Sequence, residues 1–137
     1  MIKNIKVLLL TITMMVSLCG VASAQANWVW IDSNDTMTAS FDSTSAHYHK
    51  ENTDHPAYME YWIEMDRSDG LSMIIYQQVF NGAIHNYKYF TYDANGNCVD
   101  SGNLHGKTWS IAPGTRGEYI VGIIASQCPE IKTAART

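Results

Sequence analysis

Ala57-Tyr-Met-Glu-Tyr-Trp-Ile-Glu-Met-Asp66 is the stretch on which the fold turns. Ala57, Met59, Tyr61, Ile63 and Met65 alternate with Tyr58, Glu60, Trp62, Glu64 and Asp66. Successive strand residues point to opposite faces, so a period of two marks one long strand with a buried face and a wetter one. Arg67-Ser-Asp-Gly70 then turns the chain, and Leu71 to Phe80 forms the next strand. Asn81-Gly82 is a two-residue hairpin signal, because both residue types tolerate positive φ, and it leads into a strand from Ile84 to Asp93. Asn95-Gly96 is a second such pair and leads into a short strand from Cys98 to Ser101. Four neighbouring strands joined by tight turns make an antiparallel meander.

Upstream, Trp28-Val-Trp-Ile-Asp32 is aromatic and β-branched and ends at the turn-forming Ser33-Asn-Asp35. Thr36 to Asp42 places Met37, Ala39 and Phe41 on one face and hydroxyls on the other, which predicts a hairpin with the first strand. Ser43 to Pro56 has neither period and is dense in His, Asn, Asp, Ser and Thr, so it reads as a solvated loop with a short strand around Ala46 to His49.

Downstream, Glu118 to Ala125 is rich in Ile and Val, as a strand would be, and Gly122 would weaken a helix by about 1 kcal/mol relative to Ala. Helix signals outweigh these. Thr115 and Glu118 have capping-box spacing, Val121, Ile124, Ala125 and Cys128 share a helical stripe, and Pro129 stands where a helix must stop. The expected fold class is therefore α+β: an antiparallel sheet of about six strands with a C-terminal helix packed on its apolar face.

The first 24 residues read as a secretory signal peptide. Lys3 and Lys6 precede an apolar run from Val7 to Val16, and Ala22-Ser-Ala24 fits the small-x-small rule for cleavage before Gln25. A lipoprotein signal ending at Cys19 would want a small residue before the cysteine, where Leu18 stands. Residues 25–137 are enough for a single core and leave no room for a second domain. No stretch approaches the roughly 20 apolar residues of a membrane helix. Loss of Lys3 and Lys6 leaves 7 basic against 13 acidic residues, a net charge of −6. Such a surface repels nucleic acid and anionic lipid, and neither is an expected partner.

Beyond Cys19 the sequence has two cysteines, Cys98 and Cys128, and two thiols in an oxidising compartment have one possible pairing. A disulfide between them would stabilise the fold by about 3 to 4 kcal/mol and would pin the terminal helix to the sheet.

Several stretches together resemble the surface-adhesin protein E-like family of small bacterial envelope proteins. They are Trp28-Val-Trp-Ile-Asp-Ser-Asn-Asp35, Phe41-Asp42, Tyr92-Asp-Ala-Asn-Gly-Asn-Cys98, and Trp109-Ser-Ile-Ala-Pro-Gly-Thr-Arg-Gly-Glu118 with the helix ending at Cys128. The resemblance covers nearly all of residues 25–137. It implies a sheet of about six strands, a C-terminal helix on its concave face held by a disulfide, and no catalysis. It further implies an exported protein of a diderm bacterium, periplasmic, surface-bound or secreted, that binds a host or envelope protein as a monomer or homodimer. The founding member is a surface lipoprotein that binds host matrix and plasma proteins.

The side chains that carry chemistry are few. His47 and His49 lie two apart on a short strand, near Glu51, Asp54 and His55, and a periplasmic ligand or metal carrier built on this loop (47–55) is the alternative function. A firm site needs three or four fixed ligands, and a polar loop does not hold them, so no metal or other cofactor is expected. Glu60 and Glu64 share a face with Tyr58 and Trp62, but four strand residues span about 13 Å, more than the roughly 5 to 10 Å that glycoside hydrolysis uses. A nucleophile elbow and a phosphate-binding glycine loop are both missing from the sequence. The expectation is a non-catalytic, adhesin-like binding module, with Tyr58, Trp62, Tyr76, Tyr87 and Tyr89 as the candidate contact patch.

Overall fold

A computed structural model of the chain describes residues 26–136. The leader with its cleavage site and Cys19 lies outside the described residues. Seven strands follow one another: β1 (Trp28–Ser33), β2 (Met37–Asp42), β3 (His47–His49), β4 (Tyr58–Arg67), β5 (Ser72–Phe80), β6 (Ala83–Tyr92) and β7 (Cys98–Ser110). Two helices close the chain, α1 (Arg116–Gln127) and α2 (Ile131–Arg136). All strand pairs are antiparallel, in the order β1-β2-β4-β5-β6-β7. β3 shares with β2 the same edge of β4: β2 pairs with its second half and β3 with its first three residues. The architecture is α+β, an antiparallel sheet with C-terminal helices.

The alternation of β4 sorts the two faces. Met59, Tyr61 and Ile63 are buried, and Phe41, Ile75, Val79 and Ile84 from neighbouring strands join them. Helix α1 lays Ile120, Val121, Ile124 and Ala125 on this face, and α2 adds Ile131 and Ala134. Thr115 caps α1, its hydroxyl accepting from the Glu118 amide at 3.2 Å. The Glu118 carboxylate accepts from the Gly114 amide at 2.7 Å, so the expected box closes one residue further back.

A polar row crosses the core. Gln77 donates to the Asn86 side-chain oxygen at 2.7 Å, and Asn86 donates to the Lys107 carbonyl at 2.8 Å. Beside them the Tyr61 hydroxyl and the Gln77 side-chain oxygen are buried without a partner among the described residues. Burial drives the Tyr61 pKa far above its ordinary value, so the ring stays neutral.

Three features differ from the sequence reading. β7 does not stop at Ser101 but runs 13 residues, interrupted by a bulge where His105 and Gly106 take φ of 52° and 73°. Its glycines and polar residues have little strand propensity of their own, yet β6 supplies the partner backbone that holds them extended. The second feature is α2, which restarts the helix after the Pro129 stop.

The third concerns the cysteines. Cys98 and Cys128 are free thiols, not the pair expected from counting. Cys98 opens β7 in a run of six exposed residues, whereas α1 docks at the other end of that strand, where Gly117 abuts Ser110. Cys128 is half-buried at the helix terminus, and burial together with nearby Glu130 raises its pKa.

Gly117 fixes the helix-to-strand distance. A Cβ there would lie 2.1 Å from the Ser110 carbonyl oxygen, whereas one at Gly122 meets nothing within 4 Å. Gly117→Ala is therefore expected to lower unfolding free energy by about 2 to 3 kcal/mol, and Gly122→Ala to raise it by about 0.5 to 1 kcal/mol, in urea titrations. In native protein alkylated at pH 8, Cys98 should react fast and Cys128 at least about tenfold more slowly, read by peptide mass spectrometry.

Candidate functional site: the outer face of the sheet

The face opposite the helices would ordinarily be polar. Here register assembles large apolar side chains on it. Directly opposed residues of paired strands share a face, so Trp30, Ser40, Glu64, Ile74 and Phe90 form one row from β1 to β6. Trp62 and Tyr76 are opposed in the adjoining row. The Trp62 ring lies 5.4 Å from Tyr76 and 6.1 Å from Phe90, and Tyr76 lies 6.0 Å from Tyr87, all in tilted contacts within aromatic pairing range. Trp30 at the β1 edge is 55% exposed, and Trp28 beside it is also exposed.

Carboxylates are set among the rings. The Tyr76 hydroxyl donates to Glu60 Oε2 at 2.6 Å and accepts from the Gln78 amide at 2.9 Å. Burial, offset by the Gln78 hydrogen bond and reinforced by Glu60, pushes the Tyr76 pKa up to about 12, so it remains a donor throughout the neutral range. Glu64 is pushed up to about 7, first by burial and then by the hydrogen bond and negative charge of Asp66 two residues on. Asp66 in turn accepts from the Ser72 hydroxyl.

The histidines border this patch. His49 stacks on Tyr58 at 4.4 Å, and its Nε2 lies 3.5 Å from Glu60 Oε1. The edge of His55 meets Tyr58 at 5.0 Å. Its Nδ1 lies 2.8 Å from the Pro56 carbonyl and its Nε2 lies 2.9 Å from the Asn52 amide nitrogen. A carbonyl can only accept and an amide nitrogen only donate, so Nδ1 donates, Nε2 accepts, and both ring nitrogens are used. His47 is exposed opposite Glu60. Among the described residues no three His, Cys, Asp or Glu side chains are arranged to hold a metal ion.

Of the five candidate contact residues, four share the outer face: Tyr58, Trp62, Tyr76 and Tyr87. Tyr89 does not. Between Tyr76 and its partners β6 carries one extra residue, with Gln77 opposite Asn86 but Ile75 opposite Tyr89. Ile75 is a core residue, so Tyr89 points to the helix side, packing against the core and over Gly102 while its hydroxyl donates to Asp100 at 3.1 Å. Strict alternation puts Tyr87 and Tyr89 together; the bulge separates them. Trp30, Ile74 and Phe90 were missing from the candidate set. Their alternation with buried neighbours was visible, but strand register was needed to place them beside Trp62.

The fold and this face define an α+β protein with a single antiparallel sheet that carries apolar side chains on both sides. Comparison with protein-family models, curated proteins and solved structures finds no match. No helix among the described residues is long and apolar enough to cross a membrane.

The Glu64 shift has a sign that stability can test. The folded state holds this proton more tightly than the unfolded chain, so Glu64 favours folding below about pH 4.5 and loses that contribution as pH rises to about 7. Glu64→Gln should therefore be more stable than the parent at pH 8, by about 1 kcal/mol after allowance for solvent screening, and nearly equal to it at pH 4.5. Parallel urea unfolding at the two pH values reads the difference.

Proposed function

We propose that this protein is an exported, non-catalytic binding module of the bacterial cell envelope that engages a protein partner through the outer face of its sheet. The observation that carries the reading is the cluster of Trp62, Tyr76, Tyr87 and Phe90 beside Ile74, with the exposed Trp30 on the same face across two intervening strands from Ile74. Stiff aromatics at the centre of a patch supply contact area at low entropic cost, which is the composition of interface hot spots. Glu60, hydrogen-bonded to the Tyr76 hydroxyl, and Asp66 set a negative charge on this face, complementary to Arg or Lys on a partner. Export rests on the leader-like residues 1–24, and the adhesin-like role on the resemblance to the surface-adhesin protein E-like family. The carrier alternative through His47, His49 and His55 has less support, because His55 already spends both ring nitrogens.

A photo-crosslinking amino acid placed at Trp62 or Tyr87 in intact cells should give a discrete protein adduct, and one at Lys88 or Val99 should not. Adducts spread evenly over all four positions, or none at any, would defeat the reading. The N-terminus of the purified protein should be Gln25, read by Edman sequencing.

A further inference from the structure

The helix side of the sheet also holds a cavity of about 520 Å³, bounded by Met37, Ala39, Ile63, Met65, Trp109 and Ile120 with Arg116. Trp109 stands near the end of β7, three strands from β4, yet it faces the same space as Met37 and Met65, so the sheet and the start of α1 line a half-open cleft jointly. The volume lies within the range of small-molecule sites. Two methionines give it adaptable walls.

Arg116 is the one charged group on this lining, and none of the described carboxylates pairs with it. It is the first residue of α1, where the positive end of the helix dipole favours acidic side chains and disfavours a cation. Glu118, the nearest acid on the helix, is committed to the Gly114 amide. Arg116 is exposed to solvent while lining the cavity, so its guanidinium is open to an anion seated there. We infer that the cavity binds a single-chain amphipathic carboxylate, with its hydrocarbon among Met37, Ile63, Met65, Trp109 and Ile120 and its carboxylate on Arg116. This site is separate from the outer-face patch and does not depend on it.

Decanoate, decanol and decyltrimethylammonium are suitable probes for titration into protein labelled at the methionine methyls. Decanoate should shift Met37 and Met65 saturably at one equivalent, decanol should bind more weakly, and the cation weakest. Arg116→Gln, at an exposed position, should lower decanoate affinity about tenfold and leave decanol unchanged. Ala39→Met should fill the space and weaken both ligands, provided its circular dichroism matches the parent. The inference fails if the three probes bind alike, if Arg116→Gln weakens decanoate and decanol equally, or if decanoate leaves Met37 and Met65 unmoved.

Discussion

The pairing of β4 on both of its edges is the constraint from which the rest follows. Because its neighbours are held in register by backbone hydrogen bonds, a residue of β4 decides the face of every residue opposite it. Ile63 therefore commits Phe41 and Ile75 to the core, and Glu64 commits Ser40, Ile74 and Phe90 to the other side. A slip of one residue would exchange the two sets and expose the Tyr61 and Ile63 side chains that α1 and α2 cover.

Both faces are consequently apolar in part, by different routes. On the helix side, burial removes the side chains from water, and the residual space is a cavity guarded by a single arginine. On the outer side, half-buried rings pack on one another in tilted contacts, and burial with a nearby carboxylate raises both Tyr76, beside Glu60, and Glu64, beside Asp66. Exposed aromatic surface beside charge favours association with a partner that desolvates the rings and neutralises the acids.

The absence of a cross-link between Cys98 and Cys128 changes the account of how the tail is retained. The close approach of Gly117 to Ser110, the apolar stripe of α1, and the hydrogen bond from the Gly82 amide to the Ala135 carbonyl at 3.0 Å hold the helices in place. Counting thiols gave one possible pair but carried no information on where β7 would lead the first of them. That strand runs 13 residues from Cys98 to Ser110, and nothing in the spacing of the two cysteines encodes its length.

Local chemistry alone was enough for the strands from Trp28 to Tyr92, the positive φ of Asn81 and Gly82, and the Thr115 cap of α1, because each depends on near neighbours in the chain. Alternation also put Tyr58 and Trp62 on the wetter face of their strand. What required the assembled molecule was every feature made by residues distant in sequence: the bulge that turns Tyr89 inward, the row joining Trp30 to Phe90, the full length of β7, and the cavity shared by Met37, Trp109 and Arg116. A bulge is one unpaired residue whose position is chosen by the partner strand, and a cavity is what packing leaves unfilled. Neither has a signature in a single stretch of chain.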